Sequence, residues 1–174
     1  YVNNGGDVSF YLTENQTVKS SLASIPNIIA EIDYKDKSRG IATSGWRGRS
    51  FSLGIADSVT VLADNAAMAD AAATMIANSV NIKNHPSIIK KPAEEIYEDS
   101  DLKNLMVTVE VGDLKQSEIE AALKNGNEVG KKYLENGLIN SALIELHNCF
   151  CIVQKESTNL NFINKSSLKK INYV

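Results

Sequence analysis

Ser58-Val-Thr-Val-Leu62, then Asp64-Asn65-Ala-Ala-Met-Ala-Asp70-Ala-Ala-Ala-Thr74-Met-Ile-Ala-Asn78-Ser-Val-Asn81, is the stretch on which the fold turns. The β-branched run predicts a strand. Asp64 or Asn65 supplies an N-cap oxygen, and the alanine-rich stretch predicts a helix to about Asn78. Between Asn65 and Asn81 there is no Lys, Arg or Glu. A helix with one face in water ordinarily carries such residues, so this one is predicted to be enclosed on most sides. Asp70, Thr74 and Asn78 recur every fourth residue and share one face. A carboxylate in an enclosed setting is costly unless paired or coordinated. Asp70 and Thr74 together offer a carboxylate and a hydroxyl to Mg²⁺, which takes few protein ligands and keeps water or phosphate oxygens. The same spacing also describes the wet face of an amphipathic helix.

Outward from this segment, strands and helices mix without regular alternation. Val8–Leu12, Asn27–Tyr34, Ile41–Ser44 and Met106–Val111 read as strands, with a weaker one at Ser20–Ala23. Trp46–Gly54 reads as loop. Pro92 is placed to start a short helix within 90–101. Ser117 and Glu120 have capping-box spacing and open a helix to about Asn136, with Ile119, Ala122, Leu123, Gly126, Val129, Gly130, Tyr133 and Leu134 on its small or apolar stripe. Ser141–Val153 reads as a final strand or strand pair. The fold class is α+β, a mixed or antiparallel sheet with packed helices. Residues 1–154 form the domain, and 155–174 read as a polar tail. The opening has no Met, and Tyr1-Val2 runs straight into a glycine turn, which reads as the end of a strand that begins elsewhere.

The 174 residues are 43% hydrophobic and 22% charged, which excludes collagen-like, mucin-like and wholly disordered chains. A net charge of −3 argues against nucleic acid or an anionic membrane as partner. No apolar run reaches the ~20 residues of a bilayer span, and the start has neither the basic nor the apolar part of a secretory signal. With two cysteines, the cytoplasm is the default compartment.

Two glycine-containing turns carry further chemistry. Asn4-Gly5-Gly6-Asp7 lies between strand-like segments, where Gly-Gly lets a ligand approach backbone N–H groups; Asn-Gly is also an ordinary hairpin turn. Thr43-Ser44-Gly45-Trp46-Arg47-Gly48-Arg49-Ser50 combines small hydroxyl residues with two arginines, a set suited to phosphate. It also describes a solvated polar loop. No nucleophile–base pair is evident. His85 and His147 have no partner in the sequence, and His147 with Cys149 and Cys151 lacks a fourth ligand for a soft metal. The two cysteines, spaced to share one strand face, read as core residues.

Asn4-Gly5-Gly6-Asp7, Ala42-Thr43-Ser44-Gly45 and Ala69-Asp70-Ala-Ala-Ala-Thr74, in that order over about residues 1–147, resemble the ApbE-like superfamily, most closely its short, poorly characterised archaeal and bacterial branch. The resemblance implies an ApbE-like fold of which this chain is the C-terminal portion. The parent family are Mg²⁺-dependent FAD:protein FMN transferases, acting on a Ser or Thr of a target protein. By position, Asp70 and Thr74 match the metal ligands. Asn4, Gly5, Gly6, Asp7, Thr43, Ser44, Gly45 and Arg47 become the expected contacts to FAD, FMN or another nucleotide-like small molecule. The family's His-Ile-Ile-Asp-Pro is replaced by Ser50-Phe-Ser-Leu-Gly-Ile-Ala-Asp57, with no histidine. No catalytic residue is therefore assigned, and flavin transfer is expected to be weak or absent. Two other readings stand beside this one. One is an accessory protein of sulfur assimilation or homocysteine synthesis using Cys149 and Cys151, on family-level grounds. The other is a homo-oligomerisation module whose Gly126/Gly130 face accepts a partner helix.

Overall fold

Ser58–Ala63 lies at the centre of a seven-stranded sheet and is buried along its whole length. The structure is a computed structural model that describes residues 1–3, 6–22, 25–155, 163–164 and 169–173. In chain order, β1 (Val2–Asn3) and β2 (Asp7–Ser9) lead into a hairpin of β3 (Thr17–Leu22) and β4 (Ile25–Asp33). β5 (Gly40–Ser44) and β6 (Ser58–Ala63) precede α1 (Ala66–Ser79). β7 (Ile88–Pro92), α2 (Ala93–Ile96) and β8 (Met106–Val111) form a small excursion before α3 (Gln116–Glu135). The strands β9 (Ser141–Leu146), β10 (Cys149–Gln154), β11 (Ile163–Asn164) and β12 (Lys169–Lys170) complete it. The main sheet runs β1-β2-β5-β6-β9-β10-β12, antiparallel throughout except for the parallel β10–β12 pair. The architecture is a mixed α+β one.

Strand alternation divides the core in two. Val59, Val61 and Ala63 of β6, with Ala42, Ala142, Ile144, Cys149, Cys151 and Val153 of its neighbours, face α1 and α3. Leu62, Ile41, Leu143 and Phe150 point to the opposite face, where Phe10, Leu12, Ala30 and Ile32 cover them. Because both faces of the central strands are covered, even their polar residues Ser58, Thr60, Ser141 and Glu145 are buried.

α1 is capped by Asn65, whose side chain accepts from the Met68 N–H at 2.9 Å. Contrary to expectation the helix is not enclosed on most sides. Ala67, Asp70, Ala71 and Met75 are exposed, while Ala69, Ala72, Ala73, Ile76 and Ala77 are buried. Alanine serves both faces: it packs closely inward and needs no charged neighbour outward. Asn78 leaves the polar column altogether. Its Oδ1 accepts from the Leu53 N–H at 2.9 Å and from Ser52 Oγ at 3.3 Å, fastening the 52–54 loop to the last turn.

Several boundaries differ from the sequence reading for identifiable reasons. β2 stops at Ser9, because the Phe10 N–H turns to the Arg39 carbonyl at 3.0 Å and Phe10 drops into the second core. The helix predicted around 90–101 is one turn, Ala93–Ile96; the residues before it pair with β8, and Pro92, lacking an N–H, ends that pairing. The box opening α3 is formed by Glu118, which accepts from the Lys115 N–H at 2.7 Å, not by Ser117 and Glu120. His147 and Asn148, with φ of 47° and 60°, turn the β9–β10 hairpin. Ala23 of the weak strand reading lies outside the described residues. Within 155–174, Lys169–Lys170 pair with β10, and Tyr173 Oη donates to the Glu120 carbonyl at 2.6 Å.

Gly126 and Gly130 do not offer a face to a partner helix. A Cβ on Gly126 would meet Val80 Cγ2 and Ile144, and one on Gly130 would meet Val153 Cγ2 at 3.0 Å. These glycines seat α3 on its own core.

A Cβ on Gly54 would lie inside the Ala77 carbonyl oxygen, and backbone cannot yield as a side-chain tip does. Gly54→Ala is therefore expected to lower stability by about 1–3 kcal/mol, read from the urea unfolding midpoint.

Candidate functional site

β2 pairs with only the first part of β5, Gly40–Ala42. Thr43 and Ser44 overrun it, leaving a notch at which the Thr43 N–H reaches only the Gly6 carbonyl, at 3.3 Å. Gly40 allows the start of α1 to cross β5, since a Cβ there would sit inside the backbone of Asn65 and Ala66. The notch opens into a cavity of about 780 Å³. That is within the ~300–1,000 Å³ common for small-molecule sites.

The alternation of β5 decides what faces where. Thr43 is paired with Thr60 across the strands, their hydroxyls 2.9 Å apart. Ala42 belongs to the helix-side core, and Asp7 is its cross-strand partner. Directly opposed residues share a face, so Asp7 points toward α1. There α1 presents Asp70 and, one turn on, Thr74 to the same cavity. Gly6, Asp7, Thr43, Ser44, Gly45, Arg47, Asp70 and Thr74 all line it. Asn4 and Gly5 lie outside the described residues. Thr60, Ser20, Asn3 and Arg49 also line it. Of these, Thr60 is the one the sequence hides, because a threonine in a β-branched run looks like any other strand residue.

The Asp70 carboxyl is held above its ordinary range, first by desolvation against the cavity wall and then by repulsion from Asp7. Although Asp70 is exposed by area, its charge thus meets a second carboxylate across the notch. Among the described residues no group of three or more His, Cys, Asp or Glu side chains converges. The hard-oxygen set here is two carboxylates and the Thr74 hydroxyl.

Arg47 and Arg49 bring positive charge to the same cavity. Gly45 is packed so closely that a Cβ would enter the Asp57 carbonyl oxygen, and the Trp46 N–H donates to the Ala56 carbonyl at 3.0 Å. Beyond it Arg47 Nε lies 2.9 Å from Asp57 Oδ1, and its guanidinium stands over the Trp46 ring, 5.1 Å from the centroid. Ser50 lines the same cavity.

Other sequence candidates lie elsewhere. Cys149 and Cys151 are free thiols buried in the helix-side core, and burial pushes the Cys151 thiol up to about 12. A thiolate is the reactive form, so the feature that suggested a sulfur role is a pair of core residues. Among the described residues His147 joins no metal-ligating cluster; its backbone N–H donates to Asp57 Oδ2 at 2.7 Å. His85 Nε2 lies 3.4 Å from Glu118 Oε1, away from the notch. Among the described residues no helix is long and apolar enough to cross a membrane.

The protein is thus an α+β one with a cleft near one end of its main sheet. Residues 1–157 match the family model described as AbpE bacteria, and the chain belongs to that family. It is similar to a UPF0280 protein of Methanothermobacter thermautotrophicus, 38% identical over 98 residues, covering 53% of this chain and 38% of the relative. It is also similar to one of Methanococcoides burtonii, 40% identical over 85 residues, covering 47% of this chain and 35% of the relative. A UPF0280 protein of Methanocaldococcus jannaschii is 31% identical over 113 residues, covering 61% of this chain and 46% of the relative. The chain therefore spans less than half the length of these curated relatives. No solved structure matches it.

These matches correct the resemblance to the ApbE-like flavin transferases: the family found is a different one. FAD and FMN lose their support as ligands with it. The physical reason is plain in the structure. Gly45, and the alanines of α1, answer to close backbone approach, a demand that many unrelated clefts share.

Two outcomes follow from this geometry. Because the folded state binds the Asp70 proton more tightly than the unfolded chain, its stabilising contribution is complete below the unfolded pKa and lost as pH rises through the folded one. Asp70→Asn should therefore raise stability at pH 7 by a few tenths of a kcal/mol after solvent screening, and the gain should vanish near pH 3 in urea titrations. Cys149 and Cys151 should resist iodoacetamide at pH 8 in the native protein, and both should be labelled in urea, as mass spectrometry will read.

Proposed function

We propose that the notch binds a phosphate-bearing, nucleotide-like small molecule together with Mg²⁺. The observation that supports this most strongly is the meeting of three separated segments, carrying charges of both signs, in one cavity. Asp7 and Asp70 repel each other, and a divalent ion between a carboxylate pair removes that repulsion. Thr74, one turn from Asp70, adds a neutral oxygen, and a donor set of this kind suits a hard ion that completes its shell from phosphate and water. Arg47 and Arg49 neutralise the remaining phosphate charge. The small residues Gly45 and Gly48 keep the wall low enough for phosphate oxygens to reach the loop backbone. When bound, the ion would polarise a phosphoryl oxygen as a Lewis acid.

Calorimetry with inorganic pyrophosphate is the direct test. Binding should appear with MgCl₂ and disappear with EDTA. Asp70→Ala should weaken the Mg²⁺-dependent affinity at least about tenfold, a loss of about 1.4 kcal/mol, with an unchanged circular dichroism spectrum. Affinity that ignores both the ion and the substitution would refute the reading.

A further inference from the structure

Asp57, the last residue of the Ser50–Asp57 stretch, has no role in the sequence reading, yet its carboxylate holds an arginine of the loop. The side chain is only 9% exposed. Its Oδ1 accepts from Arg47 Nε at 2.9 Å and from Trp46 Nε1 at 3.1 Å. Its Oδ2 accepts from the His147 N–H at 2.7 Å, and its own N–H donates to the Glu145 carbonyl at 3.0 Å. The carboxylate is thereby fixed by the β9–β10 hairpin, which is part of the rigid sheet, and reaches out to hold a residue of the loop.

The Arg47 side chain is 62% exposed, yet it is engaged at two points. Its Nε is anchored to Asp57 and its plane rests over Trp46. A guanidinium held through Nε keeps the edge between its two terminal nitrogens for another anion, and that edge can grip phosphate in bidentate fashion. A free arginine must give up its rotamer entropy to grip an anion, which an anchored one has largely done before any ligand arrives. We infer that Asp57 is a positioning residue that holds Arg47 in a phosphate-gripping pose, with Trp46 as the backing plate. The inference rests on the proposed phosphate site and adds to it the group that preorganises it.

The test is a double-mutant cycle in the full chain, with pyrophosphate and MgCl₂ as the probe. Arg47→Ala should weaken binding about tenfold or more, and Asp57→Asn about fivefold, in keeping with the loosening of one charge-assisted hydrogen bond. Combined, they should be no weaker than Arg47→Ala alone, because Asp57 acts through Arg47. Trp46 is the only tryptophan of the chain, so its emission reports on the same node. The emission change that pyrophosphate induces in the wild type should be lost in Asp57→Asn. Arg47→Lys, a conservative change at an exposed side chain, keeps the charge but has no Nε for Asp57, and should lose most of what Arg47→Ala loses. Equal losses from Asp57→Asn with and without Arg47 would overturn the inference. So would wild-type affinity in Arg47→Lys, which can be read whether or not the Asp57 variants fold. If Arg47→Ala has no effect while Asp70→Ala abolishes binding, the inference falls and the phosphate site stands. If the wild type does not bind pyrophosphate, both fall.

Discussion

Everything at the notch depends on how closely α1 lies against β5. That approach is possible because Gly40 has no side chain where the strand passes under the first residues of the helix. With the helix pressed onto the strand, its second turn comes level with the end of β2, and Asp70 and Asp7 are brought to face one another. Gly54 performs the same service at the other end, where the 52–54 loop lies on the carbonyls of the helix's last turn. The Asn78 amide and the Ile55 N–H, which donates to the Val80 carbonyl at 2.8 Å, then lock that loop down. A helix so rigidly placed can present a costly pair of like charges without drifting away from it.

The charge arrangement is a separation rather than a network. On the helix side, the Asp7 charge repels that of Asp70. On the loop wall, an arginine is drawn onto Asp57 and away from them. Had Arg47 bridged to Asp70 instead, both would be satisfied and the cavity would close. The buried position of Asp57, with three donors around it, gives Arg47 a partner that keeps it on its own side.

Much of this was legible in the residues. β-branched runs located β6 and β8, and the Asp64-Asn65 pair located the start of α1, with Asn65 proving to be the cap. The motif residues Gly6, Asp7, Thr43–Gly45, Arg47, Asp70 and Thr74 do meet in space. What stayed hidden has a common cause. The environment of α1 could not be read from its composition, because alanine is equally at ease inside and outside. β7 was obscured by Lys90 and Lys91, which sit in a strand of a separate two-stranded sheet at a bulge rather than in an alternating pattern. Asn78 was grouped with Asp70 by period alone, although its amide is used within the fold. Asp57 ended a stretch that was noted for lacking a histidine, but its role stayed hidden, since two of its partners adjoin each other at 46 and 47 while the third is at 147, and only the β6–β9 pairing brings that hairpin turn alongside. The family could not be fixed from three short motifs, because small residues record proximity and not ancestry.

The far margin of the sheet is finished by the chain's own last described residues. The Lys169 N–H donates to the Asn148 carbonyl at 3.0 Å and the Ile171 N–H to the Phe150 carbonyl at 2.7 Å. Together they occupy the row of backbone acceptors along β10 that an unprotected border strand would offer to any passing polypeptide. Lys169 and Lys170 set two positive charges on this outermost strand, and like charges discourage a second molecule from lengthening the sheet there. Trimming the chain before Lys169 would thus strip a guard from a hydrophobic strand, and the foreseeable cost is clumping of molecules side by side.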